Sequence, residues 1–376
     1  MNNNNLVEYK VTIKTDGPVY IGNGNMFAKY EYVFVNHNVV GITDMEKVYQ
    51  FMKKHGLNEQ FESYILNGSK VDLLQWIEQY GFNEQDFNSC IRYKLDNGDT
   101  ALQRGTKVSI MEFVKDAYGN PYVPGSSIKG MLRTILMADD IIKDGHKYAS
   151  DAQAIRKLMF VPMNYKIKRN SYMGREIKNA EIKRFNVLTR DDKHKENAVN
   201  DSMSGLIISD SSPLDVKDLV LCQKVERHTD GSDKCLNILR ESIRPGTDIE
   251  FTITIDTSIC KLTPEYIMEA VKSFARYYND VFLSAYKGSE RLKDDGVLLG
   301  GGVGFVSKTE VYPLFGKDEG VDVTQAIFRN TNVPQGHGHS KDKSIGVSPH
   351  ILKCTKYKNK VLQMGVCRIT AIEKIY

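Results

Sequence analysis

The part of the sequence that says most about the fold is residues 119–134, which read GNPYVPGSSIKGMLRT. Pro124 favours an extended entry, and Gly125 or Ser126 can then cap the first free amides of a helix. Apolar residues follow at helical spacing, which predicts a stripe that faces a core. These apolar residues are Ile128, Met131, Leu132, Ile135 and Leu136. The segment therefore predicts a helix that begins near residue 125.

The same helix carries two cations, Lys129 and Arg133, on one face near its N-terminal end. Cations at this end oppose the helix dipole, at a cost of about 0.3–1 kcal/mol. A phosphate over the free amides would reverse that cost, and Ser126 and Ser127 would lie beside it. The alternative is that the two cations pair with nearby acids or extend along the surface.

Outward from this helix, the patterns predict strands and helices in both halves of the chain. Alternating or β-rich runs predict strands at 6–15, 30–42 (a hairpin broken at 36–38), 206–209, 218–227, 235–243, 248–256, 361–366 and 368–375. Helical spacing covers 44–88, and a second long helix begins after Thr263, a good N-cap followed by Pro264. Without regular strand–helix alternation, the pattern is typical of an α+β fold.

The length of 376 residues exceeds the roughly 250–300 residues at which a single core stops growing, so two domains are expected. We place the first at 1–205, with a helical insertion at about 44–90 and a basic insertion at about 143–205. The second is residues 206–376 and contains a glycine-rich loop.

The glycine-rich loop is LGGGVGFVSKT, residues 299–309. The dinucleotide fingerprint fails in both possible registers, because its last glycine is missing in each. The P-loop fails because a required glycine before Lys-Thr is missing. Gly301 and Gly302 would let a backbone or a phosphate approach closely. The basic residues around the loop that make a phosphate contact plausible are Lys287, Arg291 and Lys308. A tight packing turn is the alternative.

Two basic segments stand out in a chain whose net charge is only +4. Residues 156–184 carry nine Lys or Arg against two acids, and residues 336–376 carry eight against two. In the second segment, Lys356, Lys358 and Lys360 would line one face of a strand that begins near Lys353. Such a row suits a phosphate backbone, whereas a solvated lysine-rich surface is the plain alternative.

A histidine pair, His337 and His339, lies in a glycine-containing loop. No third metal ligand is obvious near the pair, so neither a metal nor a cofactor is expected. Imidazole titrates near neutrality, and the pair could serve as acid and base in RNA cleavage. A loop histidine in contact with solvent is the commoner case.

The remaining signals concern location. No run approaches the ~18 consecutive apolar residues of a membrane span, and the N-terminus lacks the features of a secretory signal. The six cysteines form no C-x-x-C pair. We therefore expect a cytoplasmic protein that does not contact a membrane.

Taken in order, several segments resemble the RAMP superfamily of CRISPR systems. The resemblance rests on residues 21–24, 124–134, 240–243 and 363–365 together with the glycine-rich loop. Among RAMP proteins, the order of these segments is most similar to a subunit of the type III-A (Csm) effector complex. The resemblance implies an α+β fold of two ferredoxin-like (RRM-like) domains with insertions.

The resemblance also implies a non-catalytic, RNA-binding subunit at one end of a ribonucleoprotein. It would cap the complex at the 3′ end of the crRNA, support crRNA maturation and contribute to interference against foreign nucleic acid. The implied partners are crRNA, a neighbouring backbone RAMP subunit, the small helical subunit and host nucleases that trim the 3′ end. A metal-independent endoribonuclease that processes precursor crRNA, with His337 and His339, is the alternative. A scaffold that contacts only proteins is a third possibility.

Overall fold

The computed structural model describes residues 5–67, 71–100, 108–160, 174–331 and 333–376. The strands in this part of the chain are β1 Leu6–Thr15, β2 Gly22–Phe27, β3 Tyr32–Asn36, β4 Val39–Thr43, β5 Ile91–Asp96, β6 Ser109–Phe113, β7 Leu206–Ile208, β8 Leu219–His228, β9 Asp233–Ile243, β10 Asp248–Asp256, β11 Gly296–Leu298, β12 Ile351–Tyr357, β13 Lys360–Gln363 and β14 Val366–Lys374. The helices are α1 Met45–Lys54, α2 Asn58–Leu66, α3 Leu73–Glu78, α4 Glu84–Phe87, α5 Gly125–Lys143, α6 Ala149–Leu158, α7 Gly174–Phe185, α8 Pro264–Val281, α9 Val311–Asn330 and α10 Asp342–Ile345. The fold is α+β, as predicted.

The first sheet has five strands in the order β11-β14-β1-β10-β7, and each pair is antiparallel. Its centre is β1, which pairs with β10 over nine residues, from Leu6 opposite Asp256 to Lys14 opposite Asp248. Val11 and Ile13 alternate with polar residues and are buried, which explains the period of two in the sequence.

The second sheet has nine strands. Seven follow the order β2-β6-β9-β8-β5-β4-β3, and β12 and β13 extend from β8. Most pairs are antiparallel, whereas β5 with β8 and β6 with β9 are parallel. Because β12 pairs with β8, it brings Lys353 opposite Glu226.

The main core is formed where α5 and α8 contact each other and meet the sheets. All five apolar residues predicted for the stripe of α5 are buried, as are Ile267, Val271 and Phe274 of α8. The side chain of Thr263 accepts a hydrogen bond from the Tyr266 amide at 3.2 Å, so the predicted cap of α8 is confirmed.

Two smaller clusters complete the packing. Helices α1–α4 bury Met52, Leu73 and Trp76 in a cluster of their own beside β3, which confirms the helical spacing of this region. Helices α6 and α9 form a third cluster, and α9 is kinked at Gly316, where φ is 69°. No helix in the described part of the chain is long and apolar enough to cross a membrane.

Both sheets combine strands from the two sides of residue 205. In the first, β1 lies between β10 and β14; in the second, β6 pairs with β9 and β5 with β8. The boundary at 205/206 stays a prediction, but the strands of the two proposed domains are interleaved rather than separated.

Candidate nucleic-acid interface

The glycine-rich loop packs tightly against the segment around Tyr20. The Gly301 amide donates to the Tyr20 carbonyl at 2.6 Å, and a Cβ added at Gly300 would lie 2.3 Å from the same oxygen. The Leu299 amide donates to the Gly365 carbonyl at 2.8 Å. The glycine-rich loop thus contacts the 363–365 segment directly and the 21–24 segment through the adjacent Tyr20. The packing alternative is therefore correct for Gly300 and Gly301.

Beyond this contact, the loop turns toward Arg240 of β9. A Cβ built at Gly302 would lie 3.3 Å from Nη1 of Arg240, so the missing side chain makes room for the guanidinium. The guanidinium carbon lies 5.5 Å from the centre of the Tyr20 ring. Its Nε is buried and has no hydrogen-bond partner among the described residues. Burial lowers the pKa of Arg240 from its usual value.

The neighbouring carboxylate of Glu241 lies on the opposite face of β9 because successive side chains alternate. Glu241 is fully buried and accepts hydrogen bonds from the Tyr93 hydroxyl (2.7 Å), the Phe113 amide (2.9 Å) and Lys115 Nζ (2.6 Å). It is therefore committed to that network and forms no ion pair with Arg240 within the described part of the chain.

Lys353 extends the same surface. A Cβ at Gly304 would be 4.0 Å from its Cγ, and its Nζ lies 2.9 Å from Glu226, which also pairs with Lys224 at 3.1 Å. Burial would raise the pKa of Glu226, but the two ammonium groups outweigh it and lower the pKa to about 2. Lys224 and Lys353 thus share one carboxylate, and Arg240 is close enough to Lys353 to act on its charge.

Lys308 follows the loop in a short 3-10 turn and is exposed. It forms no ion pair within the ranges that the structure describes. Lys308 is thus an unpaired cation beside the loop among the described residues, whereas Lys353 is paired with Glu226. The sequence named Arg240 only as part of a family segment, since an arginine within a strand is by itself an ordinary surface residue.

The cations of α5 are held inside the protein. Lys129 Nζ donates to the Leu206 carbonyl at 2.8 Å, and Arg133 pairs with Asp201 at 2.7 Å and with Glu181 at 3.4 Å. The alternative that Arg133 pairs with nearby acids is therefore confirmed. Burial lowers the pKa of Lys129.

The helix start also differs from expectation. Pro124 occupies the N-cap position and provides no side-chain cap. The Gly125 amide donates to Asp210 Oδ1 at 2.8 Å, so a carboxylate of the protein occupies the place expected for a phosphate. Ser126 is exposed and Ser127 half-buried at this end. The prediction of a capping Gly125 or Ser126 is therefore wrong.

The predicted lysine row is not a single strand face. Lys358 and Asn359 both have positive φ, 50° and 60°, and form a two-residue turn between β12 and β13. Lys360 therefore lies on the next strand, opposite Tyr357, and only Lys356 keeps the expected strand position. The left-handed turn, which asparagine tolerates well, breaks the row.

The other predicted basic contacts are dispersed. Lys287 is exposed, and Arg291 forms an exposed ion pair with Asp280. In the basic segment 156–184, residues 161–173 lie outside the described part of the chain. Of the described cations, Arg156 pairs with Glu319 and Lys183 with Asp151.

The histidine loop divides into two environments. His337 is exposed, whereas His339 is largely buried against Phe328, with ring centres 4.3 Å apart. Nδ1 of His339 lies 3.0 Å from Asp342, which also contacts Nδ1 of His350. The sequence missed this cluster because α10 separates His339 from His350.

An α+β chain with this loop and these segments is matched over residues 12–346 by the model of the RAMP superfamily, and it belongs to that superfamily. Two curated relatives are each named "CRISPR system Cms protein Csm5". The one from Mycobacterium tuberculosis (strain CDC 1551 / Oshkosh) is 28% identical over 98% of both chains. The one from Streptococcus thermophilus is 27% identical over 96% of this chain and 91% of its own.

Two solved structures share the fold. One is a chain in the cryo-EM structure of a Csm-crRNA-target RNA ternary complex of a type III-A CRISPR-Cas system, with a TM-score of 0.61 and 19% identity. The match covers 96% of this chain and all of that one. The other is the crystal structure of T. onnurineus Csm5, with a TM-score of 0.59, 19% identity and coverage of 95% and 100%.

Proposed function

We propose that this protein is a non-catalytic, RNA-binding subunit of a type III-A CRISPR (Csm) ribonucleoprotein. It caps the complex at the 3′ end of the crRNA and supports crRNA maturation and interference. The names of its relatives and the complex that contains its structural neighbour support the assignment. Its partners are crRNA, the adjacent backbone RAMP subunit and the small helical subunit, with host nucleases as transient partners in the cytoplasm.

The observation that carries RNA binding is the arrangement of cations around the glycine-rich loop. Lys224 and Lys353 share the Glu226 carboxylate, and the neighbouring Arg240 guanidinium is partly desolvated, with no acid paired to it among the described residues. Such a cation gains more from a phosphate than a fully hydrated one does. We therefore place the main contact at Gly302, Lys308, Lys353 and Arg240, whereas Gly301, also inferred from the sequence, packs against Tyr20.

The other contacts inferred from the sequence take a secondary place. Lys129 and Arg133 would have to leave their internal partners to reach RNA. Ser126, Ser127, Lys287, Arg291, Lys356, Lys358 and Lys360 would contact only RNA that extends beyond the loop.

We also infer one ferredoxin-like unit. The elements β1, α5, β7, β10, α8 and β14 succeed each other as strand–helix–strand–strand–helix–strand, and their strands lie in the order β14-β1-β10-β7. This order agrees with the fold expected for RAMP proteins. The unit draws on both halves of the chain, and a second such unit stays a prediction.

The experiment is a binding titration of the full chain with a labelled, repeat-derived single-stranded RNA in EDTA at several salt concentrations. We expect affinity to fall steeply with salt, and Arg240→Gln to reduce the slope of log K against log salt by about 0.7, the contribution of one phosphate contact. Arg276→Gln, which removes an exposed arginine paired with Asp294, is the matched control and should leave the slope unchanged.

The same samples, run on a denaturing gel, test the endoribonuclease alternative. Intact RNA is expected. Discrete products that disappear in the His337→Ala, His339→Ala double variant would replace our proposal with an enzyme. If Arg240→Gln and Arg276→Gln give the same slope of log K against log salt, the loop is not the RNA contact. If the chain shows no salt-dependent RNA binding at all, a scaffold that contacts only proteins is favoured.

A further inference from the structure

The segment between α9 and β12 gathers two imidazoles around one buried carboxylate. Asp342 is fully buried, and the side chains of His339 and His350 are only 14% and 12% exposed. One ligand atom from each of the three residues lies within 4.8 Å of the other two. This cluster has no part in the RNA contact proposed above.

The separations fit a small divalent ion. Nδ1 of His339 lies 3.0 Å from Asp342 Oδ2, and Nδ1 of His350 lies 2.5 Å from Oδ1. Zinc bonds of about 2.0–2.2 Å place tetrahedral ligands about 3.4 Å apart, so each imidazole would have to move away from Asp342 by less than about 1 Å to admit the ion. Two imidazoles and one carboxylate also leave a fourth position for water.

Surrounding groups already hold these side chains in place. Ser348 Oγ donates to Asp342 Oδ2 at 2.5 Å, and the Tyr312 hydroxyl bonds to both the amide and the carbonyl of Ser348. The side-chain amide of Gln325 donates to the His339 carbonyl at 3.0 Å. Supporting hydrogen bonds of this kind orient metal ligands and are a regular part of metal sites.

Two more imidazoles flank the cluster. The ring centre of His337 is 5.9 Å from that of His339, and the ring centre of His228 is 6.2 Å from that of His350. Four histidines in one place favour a borderline ion such as Zn²⁺ over Mg²⁺, which prefers oxygen ligands.

We propose that His339, Asp342 and His350 form a structural site for a divalent transition-metal ion, with Zn²⁺ as the best fit. His350 directly precedes β12, which carries Lys353. The ion would therefore fix the histidine loop to the strand that borders the glycine-rich loop.

The test uses the full, tag-free chain, stripped with a chelator and then dialysed against Zn²⁺ or against Mg²⁺. We expect one Zn²⁺ per chain after desalting, no retained Mg²⁺ and a higher melting temperature with Zn²⁺ alone. His350→Gln should weaken Zn²⁺ binding at least about tenfold, since it removes one of three ligands. His194→Gln, an exposed histidine on another surface, is the control and should bind as the parent does.

Cobalt spectra of the parent provide a measurement that does not depend on how the variant folds. Visible bands of four-coordinate Co²⁺ without sulfur-to-metal charge transfer are expected, because the ligands are nitrogen and oxygen. Zinc retained equally by His350→Gln and the parent, a thiolate spectrum, or no retained ion would each overturn the site. The cluster would then be a hydrogen-bonded network centred on Asp342.

Discussion

The Arg240 guanidinium lies against Gly302, at a point where any Cβ would come within 3.3 Å of Nη1. The relationship joins two segments that are far apart in the chain, a strand of the nine-stranded sheet and the glycine-rich loop. Glycine is therefore needed at position 302 for two reasons: the Arg240 cation occupies the space of a Cβ, and the backbone φ is positive, at 78°.

Gly302→Ala tests this relationship. The left-handed backbone costs about 1–2 kcal/mol for an alanine, and the methyl group displaces the guanidinium. We expect RNA affinity to fall together with stability. Gly304→Ala is the matched control because its φ is +100° and its Cβ would meet only Lys353 Cγ at 4.0 Å. Denaturation and RNA titration of both variants measure the two effects. We expect equal losses of stability but a larger loss of RNA affinity for Gly302→Ala. Equal RNA affinities of the two variants would contradict the role of Arg240.

Arg133→Met separates structural from RNA-binding cations. It leaves Asp201 and Glu181 without their partner and removes a contact in which the guanidinium lies 4.1 Å from the Phe185 ring centre. We expect a loss of about 1–3 kcal/mol in the free energy of unfolding, because partly buried acids lose a charged hydrogen-bond donor. RNA affinity below the melting temperature should stay within about twofold of the parent.

The comparison for Arg133→Met is Arg240→Gln, which should show the reverse pattern: weaker RNA binding with stability unchanged or slightly raised. Urea denaturation and the RNA titration measure the two effects. A large loss of RNA affinity in Arg133→Met would show that α5 contacts RNA.

Glu310→Gln tests a buried carboxyl at the start of α9. Burial and, to a smaller extent, Glu181 raise the pKa of Glu310 from 4.5 to about 7. Below pH 4.5 the group is protonated in both states; between pH 4.5 and 7 the unfolded state ionises first, so the free energy of unfolding falls as pH rises. The cost reaches about 3 kcal/mol above pH 7.

The Gln variant should therefore be more stable than the parent at pH 8, and the difference should shrink toward pH 4.5. Thermal melts across this range measure it. Glu62→Gln, an exposed position on α2, is the control and should follow the parent at each pH. A difference that does not vary with pH would contradict the assignment.

Gly300→Ala tests the close approach of the loop to Tyr20. Its Cβ would lie 2.3 Å from the Tyr20 carbonyl oxygen, and φ is +89°. Since backbone must move, we expect a loss of at least about 2 kcal/mol. Gly130→Ala provides the contrast: a Cβ there meets nothing within 4 Å on the exposed side of α5, and alanine should gain about 0.5–1 kcal/mol. Chemical denaturation measures the free energy of unfolding of both variants. A Gly300→Ala variant as stable as the parent would rule out the tight contact.

Local patterns were enough to predict the elements with strong periodicity. The alternation in β1, the stripe of α5 and the cap at Thr263 each follow from interactions within a few residues. The hairpin around residues 36–38 was also predicted, because the turn-forming asparagines interrupt a β-rich run.

Features that depend on distant contacts were not predictable in the same way. The place of β1 between β10 and β14 is decided by side chains more than 230 residues away. Asp210 accepts a hydrogen bond from the first amide of α5, and Asp201 pairs with Arg133, although both acids are far from α5 in the sequence. The turn at Lys358 and Asn359 was missed since alternating lysines match both a single strand and a hairpin.

The central place of β1 has a consequence for biosynthesis. During translation, β1 leaves the ribosome long before its partners: one hydrogen-bonding edge waits for β10, which ends at Asp256, and the other waits for β14, which ends at Lys374. Long-range pairing of this kind slows folding and exposes strand edges to other nascent chains. The first sheet is therefore completed only once β14 has been synthesised, and chaperone binding to the nascent chain would protect the unpaired edges of β1 until then.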